Sequence, residues 1–382
     1  MIDTLASPAE FRAQLRDWLE LHAPQLRAVS VDGPDRRAEI AGQQRLTRTL
    51  WDAGWKRYGW PETENGVGGG PAYRAVLYDE LSIAGVDIPE TDYILEVLAD
   101  TTRHFAPRLA QELLPAFHRG DELWGQCFSE PEAGSDLAAL RTRALRDGDS
   151  YVVTGQKVWT TNGFAAQRLF TLVRTGATAS RHRGITALLI DADSPGVHVA
   201  PLTFASGAQE LAECRFDEVR VPASRRIGEE NEGWQVAMRA LEFERGMYAW
   251  MRQAWLLAKV RQLASVAEPV DTATADALGT AYHAVIALRA RSLLTVRRLD
   301  RGLPVGPDAS VDKILLASAE QLVMDVARQL SHPAFEIDPE ATKLRGQWWY
   351  SRAASIYGGS GEIQRGIIAD RVLRLPAESR TA

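Results

Sequence analysis

The sequence predicts a multidomain α+β protein in which a β-rich segment lies between two helical segments. Three observations support this fold class. Apolar residues recur at helical spacing up to about residue 122, short β-like runs follow from 123 to 229, and helical periodicity returns after 230. We therefore expect an N-terminal α-helical domain (1–122), a central β-domain (123–229) and a C-terminal helical bundle (230–382).

Helical periodicity in the N-terminal segment is interrupted by turn-forming residues. Breaks fall at Gly33-Pro34, within Pro61–Pro71 with its run of glycines, and at Pro89. The apolar residues between these breaks predict separate amphipathic helices. They are Leu15, Trp18, Leu19 and His22, then Leu46, Leu50 and Ala53, then Leu77, Leu81 and Ala84.

The central segment alternates β-like runs with turns. Turn signals include Asp147-Gly148-Asp149 and Ser194-Pro195-Gly196. Most of the runs are rich in β-branched or aromatic residues, which favour a pleated, half-buried strand. The runs are Tyr151–Thr154, Leu169–Val173, Ile185–Ile190, Val197–Val199 and Cys214–Phe216.

The C-terminal segment has helical periodicity over long spans with short connections between them. This pattern is typical of a helical bundle. The predicted spans are 234–266, 272–301, 308–331, 340–357 and 361–374.

The composition is that of an ordinary globular protein, with 382 residues of which 45% are hydrophobic and 25% charged. A net charge of −6 argues against non-specific binding of nucleic acid. No apolar run approaches the ~20 residues that span a bilayer, and the N-terminus lacks the basic start of a signal peptide. These features predict a cytoplasmic protein without membrane insertion.

The number and spacing of the cysteines and histidines predict neither a disulfide framework nor a metal centre. The two cysteines, Cys127 and Cys214, are too few for such a framework, and neither lies in a Cys-x-x-Cys pair. The seven histidines are scattered, with no two at the short spacing of paired metal ligands. We expect no metal site.

Two motifs in the central segment carry residue types suited to holding a flavin. The first runs from Phe128 to Asp136 (Phe-Ser-Glu-Pro-Glu-Ala-Gly-Ser-Asp) and the second from Gly155 to Gly163 (Gly-Gln-Lys-Val-Trp-Thr-Thr-Asn-Gly). A flavin needs hydrogen-bond donors near N5 and at the pyrimidine edge, and an aromatic neighbour that excludes water. Ser129, Trp159 and Thr161 are residues of that kind. On its own, a Trp-Thr-Thr run is more often a plain β-strand.

Together these motifs resemble the flavin- and thioester-binding segments of the acyl-CoA dehydrogenase family, in family order and spacing. Further resemblances extend over nearly the whole chain and are weakest at 262–345. They are Gly54-Trp55 with Trp60-Pro61-Glu62, Ser194–Val197, Val221-Pro222, Asn231–Trp234 and Ile356–Arg365. The resemblance implies an acyl-CoA dehydrogenase-like fold and FAD-dependent α,β-dehydrogenation of an acyl thioester, within fatty acid or steroid side-chain metabolism.

The resemblance also assigns roles within the central segment, which it identifies as the flavin- and thioester-binding domain. It implies that Phe128 and Ser129 contact the flavin ring, that Trp159 flanks the ring and that Thr161 bonds near N5. It further implies that Ser135 contacts the pantetheine arm of the thioester.

In the C-terminal segment, the resemblance implies the catalytic base and an oligomer interface. It places Glu362, Ile363 and Gln364 beside the adenosine half of FAD. It gives Arg245, the last residue of a Leu-x-x-Glu-Arg pattern, a role in substrate binding.

Gly358 occupies the position that carries the catalytic glutamate in many family members, so the chain needs another base. Some members place the base in the Leu-x-x-Glu-Arg pattern, where this chain has Glu244. Helical spacing supports Glu244 independently, because its neighbours three, four and seven positions away are uncharged. A carboxylate on such a stripe is costly unless it is paired or functional. The neighbours are Ala237, Ala240, Leu241, Met247, Tyr248 and Met251.

We therefore predict that Glu244 removes the α-proton of the thioester while a hydride passes to flavin N5. Two alternatives stay open. In the first, Glu244 pairs with a cation on another helix and has a structural role. In the second, Glu362, at the start of a helix-like segment, is the base.

Two features of the family pattern are missing, and they bear on subunit composition. No Arg-Phe-Gly motif, which in relatives reaches the FAD pyrophosphate across an interface, occurs in 250–300, and Leu330–Ala334 stands where a Gly-Gly loop is common. The pattern is most similar to an actinobacterial subgroup in which some members are heteromeric and several act on bulky thioesters.

Two alternatives to a complete dehydrogenase follow from these departures. One is a half-site or non-catalytic subunit of a heteromeric acyl-CoA dehydrogenase. The other is a flavin-dependent oxygenase, or a dehydrogenase of carrier-protein thioesters, with the same fold. The expected partners are an acyl-CoA or other acyl thioester, an electron-transfer flavoprotein, and further subunits in a homo- or hetero-oligomer (dimer or tetramer).

Overall fold

The computed structural model of the chain describes residues 5–29, 35–266 and 271–376. The chain folds into two compact units. The first unit contains Leu21–Gly69 and Pro89–Phe243, and the second contains Ser7–Glu20, Gly70–Ile88 and the chain from Glu244 onward. This grouping differs from a division at residues 122 and 229, so the three-domain boundaries remain a prediction.

Helices occupy both ends of the chain, and several begin or end on a specific local signal. The side chain of Asp35 accepts a hydrogen bond from the backbone N–H of Ala38 at 2.9 Å and caps α2, and Asp271 caps α7 through Thr274 at 2.7 Å. Gly120 ends α5 with a φ of 81°, a left-handed conformation that favours glycine. The helices are α1 Pro8–Ala28, α2 Arg36–Asp52, α3 Pro71–Ile83, α4 Asp92–Phe105, α5 Pro107–Arg119, α6 Gly233–Val266, α7 Thr272–Asp300, α8 Ala309–Leu330, α9 Ala334–Ile337, α10 Thr342–Ala353 and α11 Gly361–Ile367.

The predicted long helices agree with these bounds except near the C-terminus. A single helix was expected over 340–357, but α10 ends at Ala353. Gly358 and Gly359, with φ of 65° and 94°, then form a turn that leads into α11. The side chain of Ser360 caps α11 by accepting from the N–H of Ile363. This turn becomes part of the candidate site.

The strands of the central segment form one mixed sheet in the first unit. Its order is β6-β7-β3-β2-β4-β5-β8, and β1 pairs in parallel with β4. The strands are β1 Trp124–Cys127, β2 Arg143–Asp147, β3 Ser150–Thr161, β4 Arg168–Arg174, β5 Ile185–Asp191, β6 Val197–Leu202, β7 Leu211–Pro222 and β8 Arg226–Ile227. Each β-like run of the sequence lies within a strand, which confirms the helical–β–helical order of the predicted fold class.

Strand β4 is buried on both faces of the sheet. Successive side chains of a strand point to opposite faces. Phe170 and Leu172 accordingly join a core cluster that includes residues of α4 and α5, whereas Leu169 and Val173 join a second cluster with residues of β3 and β7. Both faces of β4 are therefore covered, and the strands that carry the motifs rest on a packed core.

In the second unit, buried polar contacts join α3 to the long helices. The indole Nε1 of Trp250 in α6 donates to the carbonyl of Ala75 at 2.9 Å. Arg289 of α7 donates to both carboxylate oxygens of Asp79 at 2.7 Å. Among the helices in the described parts of the chain, none has the length and apolar character to cross a bilayer.

Candidate active site

The segment Phe128–Glu130 follows β1 directly and is fixed against β3. The backbone N–H of Val158 donates to the carbonyl of Ser129 at 3.0 Å. The ammonium of Lys157 donates to the carbonyl of Phe128 at 3.1 Å and pairs with Glu130 at 2.8 Å. Both partners of this ion pair are buried. The backbone of the two predicted flavin contacts, Phe128 and Ser129, is therefore held from two directions.

Glu130 has a structural role, because its carboxylate has several donors. It accepts from the backbone N–H groups of Arg141 at 2.6 Å and Thr142 at 2.8 Å, in addition to Lys157. Burial acts to raise the pKa of Glu130, but the Lys157 ammonium and these hydrogen bonds hold that pKa below its ordinary value. The carboxylate is thus ionised and fully engaged within the protein.

Trp159 lies at a bulge in β3 and projects from the sheet. The pairing with β7 shifts register between Lys157 and Thr160, and Trp159 has a φ of 64°. A left-handed backbone is unusual for a bulky residue and indicates local strain that the neighbouring ladder maintains. The indole is 56% exposed and lies nearly parallel to the ring of Phe204, with centroids 6.4 Å apart. The bulge thus presents a flat aromatic surface next to Thr161, which ends the strand.

The turn that carries Ser135 lies at the surface. Reciprocal backbone hydrogen bonds of 3.0 and 3.1 Å between Glu130 and Ala133 close it. Ser135 is exposed. Its neighbour Asp136 forms an ion pair with Arg181 at 2.7 Å. The hydroxyl is therefore accessible to a ligand.

A second group of predicted residues lies in the second unit, around the carboxylate of Glu244. Glu244 is only 5% exposed, as its position on an apolar stripe predicts. Gly358, in the turn between α10 and α11, faces it. A Cβ placed on Gly358 would lie 2.9 Å from Oε1 of Glu244 and 3.1 Å from Cε of Lys313. The Glu244 carboxylate therefore occupies space next to the position from which a glutamate at 358 would project.

Lys313 of α8 is the neighbour that the sequence analysis did not identify. It is 4% exposed, donates to the carbonyl of Ala354, and lies 4.1 Å from the ring centre of Tyr357. The neighbours of Lys313 three and four positions away are all uncharged, namely Ala309, Ser310, Leu316 and Ala317. Glu320 stands seven positions away, however, so the spacing rule that selects Glu244 does not select Lys313.

Further polar groups lie near the Glu244 carboxylate and the turn at Gly358. Arg245 donates from Nε to the carbonyl of Gly358 at 3.4 Å, so this predicted substrate-binding residue contacts the same turn. The hydroxyls of Tyr248 and Tyr357 are 3.1 Å apart. Burial raises the pKa of Tyr248 to about 12, which keeps this phenol neutral near pH 7.

A cavity of about 350 Å³ opens beside the same turn. Its polar lining includes Lys313, Gln321, Ser355, Glu362, Gln364 and Arg365. Gln364 donates to the carbonyl of Gly358 at 2.9 Å, whereas its buried Oε1 has no hydrogen-bond partner among the described residues. The side chain of Glu362 is 85% exposed, and hydrogen bonds from its own backbone N–H and from Ser360 lower its pKa. Glu362 therefore lacks the dry setting that a base for a weak carbon acid requires.

Neither unit offers a metal centre within the part of the chain that the structure describes. There, no group of three or more His, Cys, Asp or Glu side chains is arranged to hold a metal ion. Cys127 and Cys214 are buried with their Sγ atoms 3.7 Å apart, as free thiols.

Comparisons with known proteins give consistent matches along the chain. A family profile described as the acyl-CoA dehydrogenase middle domain matches residues 125–219, and the C-terminal domain profile of that family matches 231–373. Acyl-CoA dehydrogenase IpdE1 of Mycobacterium tuberculosis is 37% identical, with 97% of this chain and 98% of the relative aligned. Acyl-CoA dehydrogenase FadE29 of the same organism is 29% identical, with 99% of this chain and 100% of the relative aligned.

Solved structures with the same fold cover the chain almost completely. The Tcur3481-Tcur3483 steroid ACAD is 25% identical, with a TM-score of 0.83 over 99% of this chain and 100% of that chain. The ChsE4-ChsE5 complex from Mycobacterium tuberculosis is 26% identical, with a TM-score of 0.78 over 99% and 100%.

Proposed function

The chain belongs to the acyl-CoA dehydrogenase family, and we propose that it catalyses the FAD-dependent α,β-dehydrogenation of an acyl thioester with Glu244 as the base. One observation carries the assignment of the base. The Glu244 carboxylate is buried, and its Oε1 would lie 2.9 Å from a Cβ at Gly358. A glutamate on α6 thus supplies a carboxylate beside the position where many relatives carry theirs.

The residues present fit an FAD group. The backbone of Phe128 and Ser129 is fixed, and the Trp159 ring is exposed beside it on β3. In the second unit, the buried Oε1 of Gln364 has no partner among the described residues, and the adjoining cavity is polar. Such an oxygen is costly to leave unsatisfied, so a ligand donor would satisfy it.

On this proposal the first-unit residues hold the isoalloxazine ring. The chemistry that bound FAD supplies is acceptance of a hydride from the β-carbon of the thioester. Ser129 and Thr161 donate hydrogen bonds to the ring, Phe128 contacts it through its backbone, and Trp159 covers it and excludes water. Gln364 and Glu362 contact the adenosine half.

Glu244 has a different role, as the base that removes the α-proton. A thioester α-proton is a weak acid, so its removal needs a carboxylate that is ionised and shielded from water before the substrate binds. Glu244 takes this proton on its carboxylate as the α-carbon loses it. Ser135 contacts the pantetheine arm, and Arg245 helps to bind the substrate. The electron acceptor that we propose is an electron-transfer flavoprotein.

Anaerobic titration tests this proposal. We expect the purified protein to be yellow and to bleach with at least one of a panel of short-chain, long-chain and steroid-derived acyl-CoA thioesters. Glu244→Gln should keep its flavin and reduce it ~10²–10⁴-fold more slowly, the range for loss of a general base. Glu242→Gln, a change of the same kind two residues away on the same helix, should bleach at the wild-type rate.

Two results would contradict the assignment. If Glu244→Gln bleaches as fast as wild type, the base lies elsewhere and Glu362→Gln becomes the next variant to measure. If no thioester of the panel bleaches a yellow wild type, the dehydrogenase proposal itself is wrong. Rapid reoxidation of the reduced protein by air would instead favour the flavin-dependent oxygenase.

A second candidate is a half-site subunit of a heteromeric dehydrogenase. The missing Arg-Phe-Gly motif in 250–300 favours it, and both solved relatives described above are named as pairs of chains. This function predicts a colourless protein when the chain is purified alone. Flavin would then bind only after a second, related chain is added.

A further inference from the structure

We propose that Lys313 is a positioning residue that holds Glu244 ionised and in place for proton abstraction. This inference rests on the proposed role of Glu244 as the base. It assigns a function to a lysine that is only 4% exposed.

The distance between the two groups supports the proposal. A Cβ on Gly358 would lie 2.9 Å from Oε1 of Glu244 and 3.1 Å from Cε of Lys313. Oε1 of Glu244 and Cε of Lys313 are therefore no more than about 6 Å apart, and the ammonium nitrogen is bonded to that Cε. The two groups are close enough to interact electrostatically, because the charge of Glu244 acts to raise the pKa of Lys313. Both side chains are at most 5% exposed, so water screens their attraction weakly.

The lysine is fixed from three sides. Its ammonium donates to the carbonyl of Ala354 and lies 4.1 Å from the ring centre of Tyr357, and its backbone belongs to the second turn of α8. A cation over an aromatic ring gains further stabilisation when it is desolvated. Because Ala354 and Tyr357 precede Gly358 in one turn, Lys313 also holds the segment that faces Glu244.

The other charged groups around the pair have partners of their own. Glu320 of α8 pairs with Arg252 of α6 at 2.6 Å. Arg245 donates to the carbonyl of Gly358, and Asp312 is directed to Thr295 and Arg291 of α7. The other titratable neighbours in the described part of the chain are the phenols of Tyr248, Tyr350 and Tyr357, together with Glu362 and Arg365, which line the same cavity as Lys313.

The protonation of Lys313 depends on its burial and on the charges near it. Burial lowers the pKa of Lys313 to about 8, while Glu244 and Glu320 act in the opposite direction. Near pH 7 the ammonium form of Lys313 still predominates, so a positive charge lies beside Glu244. Without it, Glu244 would have to ionise in a dry site with one cation fewer beside it, which raises the pH at which the base becomes active.

The first test is the pH dependence of the rate at which an acyl-CoA reduces the flavin. Lys313→Met should move the acidic limb of this profile upward by at least one pH unit and slow reduction at pH 7 about tenfold or more. Lys259→Met is the matched control, because Lys259 is a half-buried lysine on α6, about 22 Å from Glu244 along the helix. It should leave the profile unchanged. An unshifted acidic limb in Lys313→Met would overturn the inference.

The second test needs neither substrate nor flavin turnover. Thermal unfolding is measured for wild type, Lys313→Met, Glu244→Gln and the double variant. If the two side chains are coupled, Lys313→Met lowers Tm less in the Glu244→Gln background than in wild type. Equal losses in both backgrounds would show that the lysine acts only through Ala354, and the inference would be wrong.

These measurements also separate the two proposals. Loss of bleaching in Glu244→Gln together with an unshifted pH profile in Lys313→Met would support Glu244 as the base and contradict the proposed role of Lys313. If no thioester bleaches the wild-type protein, the proposed function is wrong. The Tm values of the four proteins would still measure the coupling between Glu244 and Lys313. If Lys313→Met does not fold, a folded double variant supports the coupling and an unfolded one contradicts it.

Discussion

At Gly358, the absence of a side chain leaves room for the Glu244 carboxylate. The residue has a φ of 65°, and any Cβ there would come within 2.9 Å of Oε1 of Glu244. Two separate requirements thus favour glycine: a left-handed backbone and a close approach of a charged group. Together they explain why the position that carries the base in many relatives has no side chain here.

Gly358→Ala should therefore impair activity more than it impairs stability. The left-handed backbone costs roughly 1–2 kcal/mol for a residue with a Cβ. Gly302→Ala is the matched control, because Gly302 has a φ of 66° and nothing within 4 Å of an added Cβ. Denaturant unfolding should show a similar loss for both variants. Only Gly358→Ala should slow flavin reduction by acyl-CoA, by about tenfold or more, because it displaces the carboxylate. Equal rates in the two variants would contradict the close contact.

At the scale of elements, the predicted flavin site depends on how β3 is held against its neighbours. Its ladder with β7 is interrupted at Trp159. Two residues earlier, Lys157 reaches across to the segment that follows β1. One strand thus presents an aromatic ring outward and a buried cation inward. The bulge and the ion pair act together, because each fixes a different side of the same backbone.

Lys157→Met should break this arrangement and release the flavin. Removing one partner of a buried ion pair costs roughly 3–5 kcal/mol, because the other charge stays buried. Lys56→Met is the control, since Lys56 forms a comparably buried pair with Asp92 in the same unit. Both variants should lose similar stability in denaturant unfolding. Flavin absorbance per chain should fall in Lys157→Met alone, and retention of flavin by that variant would show that the pair does not support the site.

For the whole molecule, the sequence predicts elements with a long, regular pattern well. The helix expected over 234–266 is Gly233–Val266, because its periodicity persists for many turns. The sequence analysis did not predict strand β2, Arg143–Asp147, because most of its residues are polar and exposed and its pairing with β3 and β4 holds it. The helical stripe locates Glu244 in the interior, whereas the same rule misses Lys313, because the charged Glu320 stands seven positions after it. Neither the left-handed backbone of Trp159 nor the Glu130–Lys157 pair has a local signal, because both depend on contacts between strands.

The stability of the whole molecule should carry a pH signature from one buried carboxyl that the proposed reaction does not use. Asp312 in α8 is fully buried, accepts from the hydroxyl of Thr295 and lies 3.2 Å from Nε of Arg291. Burial raises its pKa from 3.8 to about 6 despite these partners. A carboxyl whose pKa is higher in the folded protein than in the unfolded chain binds its proton more tightly when folded. Its contribution to stability is thus fully present below pH 3.8 and is lost as the pH rises through 6.

Asp312→Asn should remove this slope, because an amide does not titrate. The free energy of unfolding, measured in denaturant at intervals from pH 4 to pH 7, should fall with pH more steeply in wild type than in the variant. The difference accumulated over that window should be at most about 3 kcal/mol. Asp276→Asn, an exposed position on α7, should follow the wild-type curve. Parallel curves for wild type and Asp312→Asn would mean that Arg291 and Thr295 compensate the burial fully, and that this carboxyl is ionised throughout the range.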